Sequence, residues 1–127
     1  MKKILIVDDE ANNRLLLEEI LEEFKEKGVE ILLAEDGKKA LDIIKSDRPN
    51  LVFLDIMMPE INGYEVCYIV KKELNLPNIY IVLLTAKGQE EDKHKGIEVM
   101  CDKYITKPFY FNEVLDIAQN VLGIKNI

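Results

Sequence analysis

The sequence predicts an α/β protein in which helices cover both faces of one parallel sheet. Short apolar segments alternate five times with longer segments whose apolar residues recur at helical spacing. The connections between these segments are short, and no linker, repeat or low-complexity stretch interrupts them. The chain, residues 1–127, therefore fits a single domain with room for a hydrophobic core.

The first strand is predicted at residues 4–7, which are all apolar. A helix is predicted over residues 12–27, because apolar residues recur there with a period close to 3.6. Gly28 is suited to end that helix, since glycine adopts the left-handed conformation common at helix C-termini. The expected inward-facing residues are Leu16, Leu17, Ile20, Leu21 and Phe24.

The second strand is predicted at residues 30–34, and Asp36 is placed to cap a helix over residues 38–46. Residues 51–54 show no polar alternation, which is typical of a central parallel strand buried on both faces. The expected inward-facing residues of the helix are Ala40, Leu41, Ile43 and Ile44.

The second half of the chain continues the alternation. A helix is predicted at residues 64–74, strands at residues 79–84 and 103–106, and a final helix at residues 112–122 that Gly123 ends. The expected inward-facing residues are Val66, Cys67 and Val70 in the first of these helices, and Val114, Leu115, Ala118, Val121 and Leu122 in the second.

Residues 87–96 fit the pattern poorly, because they contain no apolar side chain. A helix there would be anchored only by Ile97, Val99 and Met100, and it would be among the least stable elements of the fold. Two interpretations stay open: a solvated helix at the edge of the protein, or a surface segment kept loose so that it can move.

Charge and composition exclude several classes of protein. The formal net charge of −7 argues against non-specific nucleic-acid binding. The longest apolar stretch, residues 79–84, is too short to span a bilayer, and residues 4–7 are too few for a signal peptide, so we expect a cytoplasmic protein. Cys67 and Cys101 match no metal-binding spacing, and we expect partly buried thiols.

Five polar residues stand at the ends of the predicted strands. Asp8 and Asp9 follow the first strand, and Asp55 follows the third. Thr85 follows the fourth strand and Lys107 the last. In a parallel sheet these positions meet at the carboxyl edge, where open α/β sheets bind their ligands. Each residue alone has an ordinary explanation, such as a helix cap or a solvated lysine, but their joint placement predicts a site.

Three carboxylates at one edge repel one another, and a divalent cation removes that conflict. Hard oxygen ligands favour Mg²⁺ or Mn²⁺, and Mg²⁺ keeps part of its shell open for water or a phosphoryl oxygen. We therefore expect a Mg²⁺ (or Mn²⁺) site in which Asp8 and Asp9 hold the metal beside Asp55.

The remaining members of the set suit phosphoryl transfer. Asp55 is the best candidate nucleophile, because its strand is the most completely apolar. Lys107 would offset negative charge, and the hydroxyl of Thr85 would donate a hydrogen bond. The small side chain of Ala86 would let its backbone N–H approach an anion closely.

These residues lie in segments that resemble those of response-regulator receiver domains of two-component signalling. The resemblance covers essentially the whole chain, and it extends to the single-domain, chemotaxis-regulator-like members of that family. The matching segments are Asp8-Asp9, Asp55-Ile56-Met57-Met58-Pro59-Glu60-Ile61-Asn62-Gly63, Leu84-Thr85-Ala86 and Tyr104-Ile105-Thr106-Lys107-Pro108-Phe109.

The resemblance implies a flavodoxin-like (βα)5 fold, a doubly wound parallel sheet of five strands in the order 2-1-3-4-5. It implies that Asp55 accepts a phosphoryl group from a phosphohistidine of a sensor histidine kinase or histidine phosphotransfer protein. Mg²⁺ would be held by Asp8, Asp9, Asp55 and the backbone carbonyl of Met57. The phosphorylated form would then signal to a downstream target protein.

The resemblance also implies a switch. The new phosphoryl group would draw Thr85 towards it, and Tyr104 would turn inward to fill the vacated space, so that the fourth helix, the last strand and the last helix change their surface. The Lys107–Pro108 peptide bond would be cis, and Gly63 would be a structural residue of the loop that follows the third strand.

Two features depart from the pattern of the family. Members commonly carry Ala-Gly-Ala after the fourth helix, where this chain has Val99-Met100-Cys101, and this leaves the choice of partner open. Met57 and Lys87 flank the phosphoryl site, where Met57 would shield it from water and Lys87 would pair with the phosphate. We therefore expect slower self-dephosphorylation than polar residues at both positions would give.

The leading interpretation is a stand-alone phosphoacceptor switch that promotes its own phosphorylation and dephosphorylation but is not a turnover enzyme. The chain ends soon after the last predicted helix, so we expect output through a partner protein unless the sequence is a fragment of a longer regulator. We expect a monomer that could dimerise on phosphorylation, with no direct nucleic-acid binding and no membrane insertion.

Two other functions compete with this interpretation. A phosphate-independent docking module of the same fold remains the alternative, although it would not need the whole set of strand-end residues. A Mg²⁺-dependent hydrolase resembling the haloacid dehalogenases is disfavoured, because Met57 stands where such enzymes carry a second Asp.

Overall fold

The structure, a computed structural model, describes residues 1–86 and 98–125. Its strands are β1 (Lys3–Val7), β2 (Glu30–Ala34), β3 (Leu51–Asp55), β4 (Tyr80–Thr85) and β5 (Lys103–Thr106). Its helices are α1 (Ala11–Ile20), α2 (Glu22–Glu26), α3 (Gly37–Asp47), α4 (Gly63–Tyr68) and α5 (Phe111–Leu122), and a π-helical segment, Ile69–Glu73, continues α4.

The strands form one parallel sheet in the order β2-β1-β3-β4-β5. This order confirms the predicted flavodoxin-like fold class. The register places Asp55 opposite Leu84, and Thr85 opposite Thr106. The carboxyl ends of the strands, together with the residues that follow them, therefore meet at one edge of the sheet.

Two hydrophobic clusters lie on opposite faces of the sheet. Val52 and Leu54 of β3 belong to one cluster, together with residues of α3 and α4. Leu51 and Phe53 belong to the other, together with residues of α1, α2 and α5. This alternation follows from the two-residue period of a strand, and every residue of β3 is buried, as expected for a central strand.

The first predicted helix is divided at Leu21, where α1 ends and α2 begins. Leu17, Ile20, Leu21 and Phe24 are buried as expected, but Leu16 is 41% exposed. The four buried residues follow the i, i+3, i+4, i+7 spacing of one helix face, so that Leu16 falls beyond the edge of that face. The inward assignment of Leu16 was wrong for this reason.

The last helix shows a similar shift of its buried face. Leu115 and Val121 are only partly buried, whereas Ile117, which was not among the expected residues, is 7% exposed. Ile117 lies three residues after the buried Val114 and is therefore on the same face of α5.

The predictions for three helix ends are confirmed. The Asp36 side chain accepts a hydrogen bond from the backbone N–H of Lys39 at 2.8 Å and caps α3. Gly28 and Gly123 have φ values of 82° and 68°, in the left-handed region that suits a helix end. Within residues 1–86 and 98–125, no helix has both the length and the apolar character that a membrane crossing requires.

The polar segment at residues 87–96, which includes Lys87, and the expected anchor Ile97 lie outside the described residues. Of the apolar residues expected to anchor it, Val99 is buried but Met100 is 47% exposed, so the expectation for Met100 was wrong. Met100 has a φ of 66°, in the left-handed region. This reversal of the backbone points its side chain away from the core that Val99 enters.

Replacing Met100 with glycine is expected to raise the free energy of unfolding by about 0.5–1 kcal/mol, because glycine adopts a positive φ without the clash of a Cβ atom. Urea denaturation followed by circular dichroism would measure the change. Met100→Ala is the control, since it removes the exposed side chain but keeps the Cβ. A glycine variant less stable than the alanine variant would contradict the expectation.

Candidate functional site

Asp8 lies directly after β1 and is fully buried. Its Oδ1 accepts a hydrogen bond from the backbone N–H of Glu10 at 2.9 Å and lies 3.5 Å from Nδ2 of Asn13. Its backbone carbonyl accepts a hydrogen bond from Nη1 of Arg14 at 2.7 Å. These bonds hold the start of α1 against the end of β1 and fix the orientation of the Asp8 carboxylate.

The ammonium group of Lys107 contacts carboxylates at the ends of two strands. Its Nζ lies 3.1 Å from Oδ2 of Asp8 and 3.3 Å from Oδ1 of Asp55, and Asp55 is only 4% exposed. The carboxylates of Asp8, Asp9 and Asp55 each offer an oxygen within 4.8 Å of the others. The structure therefore brings together all four charged residues that the strand ends predicted, with Asp9 on the exposed side.

This crowding of charge shifts two pKa values. Burial first, and then the negative charge of Asp8, raise the pKa of Asp55 to about 6, although Lys107 opposes the shift. Burial acts to lower the pKa of Lys107, but the carboxylates of Asp8 and Asp55 outweigh it, and the net shift is upward. At neutral pH the ammonium is therefore charged and most Asp55 side chains are ionised.

The same residues suit a divalent cation. Oδ2 of Asp8 is buried and has no aligned hydrogen-bond donor within the described residues, so its short contact with Lys107 is ionic. The acidic set offers oxygen ligands alone, which is the preference of Mg²⁺ and Mn²⁺. A bound cation would also relieve the repulsion that raises the pKa of Asp55. The residues present therefore fit the expected metal.

The other predicted residues lie along the same edge. Thr85 is 3% exposed, and its backbone carbonyl accepts a hydrogen bond from the backbone N–H of Lys107 at 2.7 Å. Ala86 is partly buried, whereas Met57 is 60% exposed. The roles of the Thr85 hydroxyl, the Ala86 N–H and the Met57 carbonyl remain predictions.

The loop between β3 and α4 approaches the site closely. The backbone N–H of Gly63 donates a hydrogen bond to the carbonyl of Ile56 at 2.9 Å. A Cβ atom on Gly63 would lie 2.5 Å from the carbonyl oxygen of Asp55, so only glycine fits here. On the opposite side of the site, the Lys107–Pro108 peptide bond is cis, as the resemblance implied.

Tyr104 is partly buried in β5, and its hydroxyl donates a hydrogen bond to the hydroxyl of Tyr64 at 3.3 Å. Sequence reasoning missed Tyr64, as it missed Asn13 and Arg14. The last two stand within the first helical turns after the acidic pair, and that position was a signal that could have found them. No local pattern marks Tyr64, because its partner is 40 residues away.

Comparisons with known proteins point to one family. Residues 4–119 match the family model for the response regulator receiver domain. Among curated proteins, the "probable transcriptional regulator ycf27" of Cyanophora paradoxa is 45% identical over 108 residues, which are 85% of this chain and 43% of that protein. The chain spans less than half the length of the curated relatives it matches.

Solved structures show the same fold over almost the whole chain. The chemotaxis protein CheY4 of Vibrio cholerae has a TM-score of 0.82 at 29% identity, with 95% of this chain and 98% of that chain covered. A CheY-like response regulator receiver domain protein of Methanospirillum hungatei has a TM-score of 0.78 at 32% identity, with 96% and 94% covered.

Proposed function

This chain belongs to the family of response regulator receiver domains, and we propose that it is a phosphoacceptor switch that receives a phosphoryl group on Asp55. The observation that carries the proposal is the position of the Asp55 carboxylate, which is buried beside Lys107 and within reach of two further carboxylates. A nucleophile, a cation site and a fixed positive charge meet there.

The proposed reaction moves one phosphoryl group. An oxygen of the ionised Asp55 attacks the phosphorus of a phosphohistidine, an O–P bond forms, and the P–N bond breaks. The departing imidazole keeps the electron pair of that bond and takes up a proton. With a pKa of about 6, Asp55 is mostly in the nucleophilic, ionised form at neutral pH.

The surrounding residues would stabilise the charge of the transferred group. Mg²⁺ (or Mn²⁺), held by Asp8, Asp9 and Asp55 with the Met57 carbonyl, would supply positive charge to the phosphoryl oxygens. Lys107 already lies 3.3 Å from Oδ1 of Asp55, where it can pair with a phosphoryl oxygen after the transfer.

The proposed response of the protein starts at the fourth strand. The hydroxyl of Thr85 and the N–H of Ala86 would donate hydrogen bonds to the phosphoryl group, and Tyr104 would follow the movement of Thr85. We propose that β5 and α5 carry part of the altered surface. The fourth helical segment predicted from the sequence lies outside the described residues, so its share stays a prediction.

The proposed partners follow from the same chemistry. We propose a sensor histidine kinase or a histidine phosphotransfer protein as the donor, and a separate target protein as the reader. The net charge of −7 favours a protein reader over direct nucleic-acid contact by these residues. The chain would promote its own phosphorylation and dephosphorylation without acting as a turnover enzyme on another substrate.

Exposure to a small phosphodonor such as phosphoramidate in the presence of Mg²⁺, followed by intact mass spectrometry, tests the proposal. We expect one phosphoryl adduct on the wild type and none on Asp55→Asn or after chelation of the metal. A wild type that stays unmodified would support the docking module instead, and an equal adduct on Asp55→Asn would overturn the assignment of Asp55 as the acceptor.

Replacing Met57 with asparagine is expected to shorten the half-life of the phosphorylated form several-fold. Met57 stands two residues after the acceptor and is 60% exposed. We expect its apolar side chain to shield the phosphoryl group from water, whereas a carboxamide would hold water nearby. The decay of the adduct in the two proteins, measured after removal of the donor, gives the comparison. An unchanged or longer half-life in the variant would refute the role of Met57.

A further inference from the structure

The hydroxyl groups of two tyrosines lie within hydrogen-bonding distance of each other. The hydroxyl of Tyr104, on β5, lies 3.3 Å from that of Tyr64, on α4, and the two residues are 40 positions apart in the sequence. Tyr64 is 8% exposed and belongs to the core cluster on one face of the sheet, against which Tyr104 packs. The contact therefore lies at the edge of the core, where a hydrogen bond is stronger than one between exposed side chains.

The position of Tyr64 is fixed relative to the strand that carries Asp55. Tyr64 follows Gly63, whose backbone N–H donates a hydrogen bond to the carbonyl of Ile56 at 2.9 Å. Ile56 is the residue directly after Asp55. The first turn of α4 is further fixed by a capping box, in which Asn62 and Glu65 each accept a hydrogen bond from the backbone N–H of the other. These contacts therefore fix the start of α4, which carries Tyr64, relative to the backbone next to the phosphoacceptor Asp55.

Tyr104 is connected to the site through strand β4. It pairs with Leu83 in the sheet, two residues before Thr85, so Thr85 and Leu83 point to the same face of β4. Tyr104 is thus linked to the site by β4, which carries Thr85, and by its hydroxyl contact with Tyr64. Burial, and next the hydrogen bond to Tyr64, raise the pKa of the Tyr104 phenol; Cys101 adds a smaller effect in the same direction.

We propose that Tyr64 is a positioning residue of the switch, whose hydroxyl holds the Tyr104 ring against the core before any phosphoryl group is present. The proposal rests on the proposed function and adds a second connection, through α4, between Asp55 and Tyr104. One hydrogen bond of this kind changes the ratio of inward to outward Tyr104 by about two- to tenfold.

A linked effect on the phosphorylated state follows from reciprocity. If a phosphoryl group favours the inward position of Tyr104, then any contact that favours the same position strengthens the binding of a phosphoryl analogue. Tyr64→Phe keeps the ring and loses only the hydroxyl. We therefore expect it to weaken the binding of beryllium fluoride with Mg²⁺ by up to about tenfold, the largest change that one such hydrogen bond makes in the inward fraction.

The test combines two readouts on ring-labelled ¹³C-tyrosine protein. In NMR spectra without beryllium fluoride, Tyr64→Phe should move the Tyr104 ring signal towards that of an exposed tyrosine. In titrations with beryllium fluoride and Mg²⁺, the same variant should bind more weakly than the wild type. Tyr68→Phe is the matched control, since Tyr68 lies on the same helix but is 42% exposed.

A second background separates positioning from general stability. In a Tyr104→Phe protein, Tyr64→Phe should cause no further loss of affinity, because the hydroxyl pair is already broken. An equal loss in both backgrounds, or wild-type affinity and an unmoved Tyr104 signal in Tyr64→Phe, would overturn the role of Tyr64. Failure of the wild type to bind beryllium fluoride would instead refute the proposed function.

Discussion

Replacing Lys71 with alanine is expected to lower the free energy of unfolding by about 3 kcal/mol or more. The Lys71 side chain is 2% exposed, whereas the side chain of its partner Asp102 is 28% exposed. Nζ donates to Oδ2 of Asp102 at 2.8 Å, to the carbonyl of Ile79 at 2.6 Å and to the carbonyl of Pro77 at 2.9 Å. Loss of the ammonium leaves these oxygens short of a donor in a buried setting.

The position of these acceptors explains why the loss should be large. Pro77 and Ile79 lead into β4, and Asp102 precedes β5, so Lys71 ties the π-helical segment to the start of both strands. Asp102 also accepts a hydrogen bond from the backbone N–H of Ile81 at 2.7 Å, which keeps its carboxylate partly satisfied when Lys71 is removed. The estimate therefore stands at the lower end of the range for a broken buried ion pair.

Urea denaturation of three variants would measure the effect. Lys71→Met retains most of the aliphatic volume and should cost less than Lys71→Ala, because it leaves no cavity. Lys72→Ala is the matched control: Lys72 is exposed beside Tyr68, and its loss should change stability by less than about 0.5 kcal/mol. A Lys71→Ala variant within 1 kcal/mol of the wild type would show that the buried network contributes little.

The strand ends were predictable because they depend on local sequence. An apolar run followed by a charged residue fixes both the buried strand and the point where it leaves the core. Asp8, Asp55 and Lys107 were located in this way, and a parallel sheet needs no further information to bring them to one edge. Their pairing at 3.1 and 3.3 Å follows from that topology.

Other features depend on partners that are distant in sequence. Lys71 carries a charge, and a charged residue type favours exposure, so its burial depends on acceptors that include Asp102, 31 positions away. The same holds for Tyr64, which was not among the expected inward-facing residues and whose hydroxyl partner is 40 positions away. The π-helical segment and the positive φ of Met100 are features of the backbone conformation. The spacing of apolar residues along the sequence predicts neither of them.

Asp55→Asn is expected to be more stable than the wild type at pH 7 without metal, by on the order of 2–3 kcal/mol. In the folded protein the pKa of Asp55 is raised from its ordinary value of 3.8 to about 6, chiefly by burial. Ionisation therefore costs more free energy in the folded state than in the unfolded state. The stability contributed by the neutral carboxyl group is fully present below pH 3.8 and is lost as the pH rises to about 6.

Asparagine carries no such titration, so the two proteins should diverge across that pH window. Denaturation in a chelator at several values between pH 4 and pH 7 would show wild-type stability falling relative to the variant, while titrations common to both proteins cancel. Added Mg²⁺ should reverse the order at pH 7, because a cation held partly by Asp55 stabilises only the folded wild type. Parallel pH profiles would refute the raised pKa of Asp55, whereas equal responses to Mg²⁺ would place the cation site away from it.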